Sequence, residues 1–187
     1  SDPLFSDPPT WERRRNGFRL YYSFLPEGGG AAKNIKVEIN TREHFSVEGF
    51  VKQSLKLDSP WMSGTVPVTT FSFEEILATK LRALYQRKKG RDLYDLWKAK
   101  SLKPDWKKVA QIFLKYMSKD SKIIFRDDFL DNLNQKVQEK MFLHDTNGLL
   151  MVSEAYDVGQ AAQFVAEEIF VHIPRSKKKQ NQERKER

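Results

Sequence analysis

The chain has 187 residues, of which 39% are hydrophobic and 31% are charged, and its formal net charge is +8. This length allows one well-packed core or two small domains, and the composition is that of an ordinary globular protein. The chain has no cysteine, which excludes disulfides and thiolate metal sites, and no apolar run is long enough to span a membrane. We therefore expect a cytoplasmic protein that makes no membrane contact.

The first 40 residues are predicted to contain a β-hairpin. Residues 1–16, with three prolines and the charge run Glu12–Arg15, are expected to be irregular. Residues 17–26 are rich in aromatic side chains, and residues 35–40 alternate strictly between apolar and polar ones. Both patterns are typical of strands, and the glycine-rich segment between them predicts the turn that joins them.

The hydrophobic period changes from strand to helix in the next part of the chain. A second extended pair is expected at residues 50–57 and 65–70. Beyond it, Ser72 is a good N-cap for a first helix, and Glu75 lies in its first turn, where negative charge suits the helix dipole. Gly90 is predicted to end this helix. Apolar residues then recur at helical spacing, which predicts about five helices in all.

These patterns together predict an α+β fold, with a small antiparallel sheet followed by a helical bundle. We expect a β-rich part at residues 1–70, a helical domain at residues 71–172 and a basic tail at residues 173–187. From Arg175 onward the tail has seven basic and two acidic residues and no apolar one. It has nothing to bury, and we predict that it is disordered.

Charged residues gather where the first two predicted helices meet. Asp92 and Asp95 lie three residues apart and share a helix face, and Arg91 is placed to pair with Asp95 four residues on. Lys80 lies close to the apolar stripe of the first helix, where a lysine tends to extend its amine to solvent or to bind an anion. From these residues alone, a functional site and a buried Arg–Asp–Lys network that fixes the helix corner are both open.

Candidates for a metal site are few. Glu38 lies on the polar face of a predicted strand, where a carboxylate can bind Mg²⁺, although an exposed strand glutamate is the simpler interpretation. The three histidines, His44, His144 and His172, are far apart and match no metal-binding spacing. The sequence has no Gly-Lys-Ser/Thr phosphate loop, no G-x-G-x-x-G and no nucleophile elbow.

The segment FSFEEILATKLRALYQRKKGRDLYDLW (residues 71–97) resembles the paired C-terminal motifs of the AbiEii/AbiGii toxin family, within the nucleotidyltransferase superfamily. The segment IKVEINTREHF (residues 35–45) resembles the strand that bears that family's third carboxylate. The resemblance extends over about residues 17–172. It implies that the small sheet is part of a nucleotidyltransferase-like core.

The resemblance also implies roles for individual residues. Lys80, Asp92 and Asp95 would be catalytic, Lys80 and Arg91 would bind the nucleotide, and Glu38 would bind Mg²⁺. The implied function is a Mg²⁺-dependent nucleotidyltransferase that serves as the toxin of a toxin–antitoxin, or abortive-infection, system. It would transfer a nucleotide from a nucleoside triphosphate to an acceptor such as tRNA, and its protein partner would be a cognate antitoxin.

The family's first motif is not found before Glu38. That motif is a Gly-Ser or Gly-Gly-Thr turn followed by Asp-x-Asp, and without it we expect a fragment or a degenerate relative that does not transfer nucleotides as given. One alternative is a non-catalytic helical module that binds RNA or protein through its basic tail and the cluster Arg87–Lys89. A nuclease with a strand carboxylate-x-Lys motif is a further alternative, but Asn40 stands where the lysine is required.

Overall fold

The computed structural model describes residues 8–41, 45–60, 62–151 and 154–176. Over these ranges the protein is α+β, as predicted: two antiparallel sheets with five strands precede six α-helices, five of which have seven residues or more. The chain divides into two compact units, residues 1–45 and residues 46–187. The predicted boundary at residue 70 marks the change from strand to helix, which lies inside the second unit. No helix in the described ranges is long and apolar enough to cross a membrane.

The first unit is a three-stranded antiparallel sheet. Its strands are Thr10–Arg14 (β1), Gly17–Phe24 (β2) and Lys33–Asn40 (β3), in the order β1–β2–β3. The register places Leu20 opposite Val37, so apolar side chains of neighbouring strands share one face. The predicted hairpin is confirmed, and the strict alternation along β3 places its charged side chains on the opposite face.

Strand β1 corrects the prediction that residues 1–16 are irregular. The charge run forms a tight hairpin with β2, in which Arg14 pairs with Gly17 around a turn at Arg15 and Asn16. The prediction was wrong because it used side-chain alternation alone, whereas backbone pairing with a strong neighbouring strand is what forms β1. Residues 1–7 lie outside the described ranges.

The second unit begins with another antiparallel hairpin, which confirms the second predicted extended pair. Its strands are Phe50–Asp58 (β4) and Ser63–Phe71 (β5). Leu55 lies opposite Val66. Successive side chains point to opposite faces, so one face of this hairpin is mainly apolar, and the other carries lysine, serine and threonine together with the stacked rings of Phe50 and Phe71.

The first two helices are Phe73–Gln86 (α1) and Gly90–Ala99 (α2). The predicted N-cap of α1 is confirmed, because the Ser72 hydroxyl oxygen accepts a hydrogen bond from the backbone N–H of Glu75 at 3.2 Å. The prediction that Gly90 ends α1 was wrong. It is the first residue of α2, and a Cβ atom there would lie 2.2 Å from the carbonyl oxygen of Phe142. Close backbone approach explains the glycine at this position.

Four further α-helices complete the second unit. They are Trp106–Lys119 (α3), Arg126–Lys136 (α4), Lys140–Leu143 (α5) and Val158–Phe164 (α6). A π-helical turn at Val165–Ile169 continues α6.

The core of the second unit is a stack of phenylalanines from different elements. Phe113, Phe129 and Phe170 are fully buried. The Phe129 ring lies 4.1 Å from that of Phe170 and 5.5 Å from that of Phe113, measured between centroids. These contacts join α3 and α4 to residues 170–173, where Ile173 is also buried. Residues 177–187, which hold most of the predicted disordered tail, lie outside the described ranges.

A buried carboxylate connects the start of α1 to its surroundings. Glu75 is fully buried. It accepts four hydrogen bonds, from the hydroxyls of Ser46 and Tyr116 and from the backbone N–H groups of Val47 and Glu48. Burial alone would raise the pKa of Glu75, but these four bonds favour the charged form and lower the pKa below its ordinary value.

Candidate functional site

Lys80 and Asp95 meet across the packed helices α1 and α2. The Lys80 Nζ atom lies 2.7 Å from the Asp95 Oδ2 atom, and the two side chains are 38% and 35% exposed. Two of the residues predicted for the site are therefore in direct contact. Because the pair is accessible, an anionic ligand can reach the ammonium group from solvent.

Asp92 has a different environment from Asp95. It is fully buried, and both of its oxygens accept hydrogen bonds from the Arg87 guanidinium at 2.7 Å. Arg87 is the C-cap of α1, and Asp92 lies in the first turn of α2. This bidentate ion pair therefore fastens the end of one helix to the start of the next.

The spacing in the sequence predicted that Arg91 pairs with Asp95, but the structure shows a different partner. Its side chain donates two hydrogen bonds to Asp145, at 2.9 and 3.0 Å, and its backbone N–H donates a third at 3.2 Å. Lys89 lies 3.3 Å from the same carboxylate, which is 7% exposed. The bonds from Arg91 hold the pKa of Asp145 well below its usual range. Arg91 binds Asp145 and not its i, i+4 neighbour Asp95, because Asp145 accepts three hydrogen bonds from it, whereas Asp95 would offer one exposed contact.

A buried lysine lies beneath the same corner. Lys136, on α4, is 3% exposed and donates hydrogen bonds to the carbonyl oxygens of Leu84 and Tyr85 in the last turn of α1. These carbonyls lack partners within their own helix, so the lysine acts as a C-terminal cap. Burial lowers the pKa of Lys136 to about 8, against the opposing attraction of Asp92. No pattern in the sequence distinguishes this residue, since a lysine in an amphipathic helix is usually exposed.

Glu38 lies on β3, in the first unit. The Arg19 guanidinium lies 2.6 Å from its carboxylate across the β2–β3 register, and the Lys36 ammonium lies 3.4 Å away. The bond from Arg19 lowers the pKa of Glu38, which is half exposed. That Glu38 and Lys80 belong to one site, as the resemblance implies, stays a prediction.

Within neither unit do the predicted residues form a site for Mg²⁺ by themselves. The described part of the chain contains no group of three or more histidine, aspartate or glutamate side chains placed to hold a metal ion. Glu38 is a single carboxylate that already pairs with two cationic side chains. Both oxygens of Asp92 are occupied by Arg87. The prediction of Mg²⁺ therefore rests on the family resemblance alone.

Comparisons with known proteins identify one family. The family described as "Nucleotidyl transferase AbiEii toxin, Type IV TA system" matches residues 3–164. No curated protein matches the chain. Among solved structures, the chain is similar to the crystal structure of JHP933 from Helicobacter pylori. The two are 16% identical, with a TM-score of 0.48, and the match covers 97% of this chain and 68% of the other.

Proposed function

The chain belongs to the AbiEii nucleotidyl transferase toxin family, and we propose that the complete protein that contains this sequence transfers a nucleotide from a nucleoside triphosphate to an acceptor such as tRNA. The family is one of type IV toxin–antitoxin systems, which implies a nucleotide substrate and an antitoxin partner. In the proposed reaction the oxygen of an acceptor hydroxyl forms a bond to the α-phosphorus. The bond between the α- and β-phosphates breaks, pyrophosphate leaves, and the hydroxyl proton is released.

The exposed pair of Lys80 and Asp95 is the observation that supports this proposal. An ammonium group has three N–H donors, and one carboxylate contact leaves the others for phosphate oxygens. Lysine binds phosphate as a compact point charge. We assign Lys80 to the phosphates of the nucleotide and Asp95 to the orientation of the Lys80 side chain. A phosphate that enters here would approach an ammonium group already fixed at the helix corner.

We assign Asp92 and Arg91 to positioning, in place of the direct roles that the resemblance implies for them. Asp92 has no exposed surface, and the Arg91 guanidinium is bound to Asp145. Both contacts fix the start of α2, on which Asp95 lies one turn further along. No step of the proposal passes through a metal ion, and dependence on Mg²⁺ is measured separately by adding EDTA.

The test compares two lysines that have similar ion pairs. The complete reading frame that contains this sequence is expressed, and transfer is measured from each α-labelled nucleoside triphosphate to total tRNA. Lys80→Ala is expected to lower transfer by about 100-fold or more, because a developing phosphate charge loses its fixed cation. Lys108→Ala is the matched control, since Lys108 pairs with Glu48 at 2.7 Å and is 39% exposed.

The thermal midpoints of the two variants separate a functional role from a structural one. Both changes remove one cation from an exposed ion pair, so we expect small and similar shifts in midpoint. Full transfer by a stable Lys80→Ala protein would contradict the proposal. If the unsubstituted protein binds tRNA but is labelled by none of the nucleotides, the alternative of a non-catalytic binding module is favoured.

A further inference from the structure

A groove lies at one end of the three-stranded sheet in the first unit. It encloses about 710 Å³ and is lined by residues 14–19 and residues 38–40. These are the end of β1, the β1–β2 turn, the start of β2 and the end of β3. Gly17 has no side chain to fill this space, and a Cβ atom there would lie 2.1 Å from the carbonyl oxygen of Ile39.

Three of the nine residues that line this groove are arginines. Arg14, Arg15 and Arg19 contribute three guanidinium groups, against the single carboxylate of Glu38. The strand register explains their proximity, because Arg14 lies opposite Gly17, two residues before Arg19 on the same face of β2. The antiparallel turn therefore gathers arginines that are close both in sequence and in space.

The three arginines differ in how far their charge is neutralised. Arg14 pairs with Glu12 at 2.9 Å, and Arg19 pairs with Glu38 at 2.6 Å. Arg15 lies exposed in the turn and pairs with no carboxylate of the described residues. The groove therefore keeps a net positive charge that is moderate and spread over a strand, a turn and a second strand.

We propose that this groove binds the phosphodiester backbone of the RNA acceptor. The identity of the ligand as an acceptor rests on the proposed function. Guanidinium groups present planar, paired donors that match phosphate oxygens. A moderate charge spread along a groove suits phosphates that carry one charge each and follow one another along a chain. A nucleoside triphosphate concentrates its charges at one point, which fits this distribution less well.

The experiment measures RNA binding directly, without requiring transfer. Fluorescence anisotropy of a labelled tRNA is recorded for the unsubstituted protein and for the double variant Arg14→Gln/Arg15→Gln, from about 50 to 200 mM salt. The matched control is Lys52→Gln/Lys56→Gln, which removes the same two charges from exposed positions on β4. Binding of a labelled nucleoside triphosphate is measured in parallel.

The arginine variant is expected to bind the tRNA about 10-fold more weakly at low salt and to show a salt dependence reduced by about 1.4 to 1.8 in log–log slope, for two lost phosphate contacts. The lysine control should change little, and neither variant should lose affinity for the triphosphate. Equal losses of tRNA affinity in both variants would show an effect of net charge and would overturn the assignment of RNA binding to the groove. A selective loss of triphosphate binding in the arginine variant would overturn the assignment to RNA.

Two further measurements keep the result interpretable. Circular dichroism checks that each variant folds, and if the double variant does not, Arg15→Gln alone takes its place, since this exposed turn residue has no carboxylate partner among the described residues. A loss of RNA affinity in Arg15→Gln supports RNA binding by the groove, and an unchanged affinity refutes it. Arginine-dependent RNA binding by a protein that transfers no nucleotide would refute the proposed function but would still support RNA binding by the groove.

Discussion

Replacing Glu75 by glutamine should destabilise the second unit strongly, although the two side chains have nearly the same size. Each carboxylate oxygen accepts one hydroxyl and one backbone N–H. Oε1 takes those of Tyr116 and Val47, and Oε2 takes those of Ser46 and Glu48. A glutamine amide keeps one accepting oxygen, and its NH₂ group only donates. In either orientation the NH₂ faces a backbone N–H, which cannot rotate to accept as a hydroxyl can.

The magnitude follows from these four bonds. A buried N–H left without an acceptor costs about 1–3 kcal/mol, and each of the two bonds kept by the amide oxygen weakens by about 1 kcal/mol when the acceptor loses its charge. The expected loss in the free energy of unfolding is therefore about 3–5 kcal/mol. For a chain of this size, that corresponds to a fall of roughly 6 to 20 °C in the thermal midpoint.

Urea unfolding measures this loss, with Glu74→Gln as the control. Glu74 lies in the same first turn of α1, so its replacement removes the same charge from the helix N-terminus. That effect alone is worth about 0.3–1 kcal/mol. If Glu75→Gln is no less stable than Glu74→Gln, the buried hydrogen bonds do not stabilise the fold as argued.

The same contact predicts how stability depends on pH. The pKa of Glu75 is lower in the folded protein than in the unfolded chain, where it is about 4.3. Its contribution is therefore fully present above about pH 4.3 and is lost as the pH falls through the lower folded value. The difference in stability between the native protein and Glu75→Gln should narrow in this acid range, and a constant difference would contradict the lowered pKa.

Three further changes test the helix corner by urea unfolding. Gly90→Ala should destabilise by about 1–3 kcal/mol, because the new methyl group collides with the carbonyl of Phe142; an unchanged midpoint would refute the close approach. Lys136→Met should remove a pH-dependent gain in stability. The pKa of Lys136 is about 8 in the folded protein and about 10.4 in an unfolded chain. Between these pH values the unfolded chain binds more protons, so the free energy of unfolding of the native protein rises with pH over that range. Asp145→Asn should destabilise by about 1–3 kcal/mol, because it weakens the three bonds from Arg91; a neutral effect would show that this pair is not structural.

The strands and helices could be predicted from local patterns wherever those patterns were strong. Strict alternation identified β3, and a serine N-cap with helical spacing behind it identified α1. The failures have local causes too. β1 has no apolar alternation of its own, and Gly90 fits both a helix end and a close backbone contact, which the sequence cannot distinguish.

The partners within the site could be predicted only in part, and the i, i+4 spacing predicted the wrong partner for Arg91, which binds Asp145. The family motif predicts that Lys80 and Asp95 belong to one site, and in the structure their side chains are in contact. Asp145 lies 54 residues from Arg91, and Lys136 lies 52 residues from Leu84. No hydrophobic periodicity in the sequence predicts contacts between residues so far apart in the chain, because these contacts depend on how the later helices pack against the corner.

The two aspartates of the corner have opposite environments, and this difference bears on what each can do. Asp92 is closed to ligands because the Arg87 guanidinium, at the end of α1, donates hydrogen bonds to both of its oxygens. It cannot exchange that partner for a ligand unless the corner opens. In the proposed function, Lys80 keeps its contact with Asp95 and offers its other N–H donors to a phosphate at the surface. Asp92→Ala should therefore lose about 3–5 kcal/mol of stability, with activity falling as the protein unfolds. Lys80→Ala should lose activity while its thermal midpoint changes little, and the reverse pattern would show that the catalytic and structural roles have been exchanged.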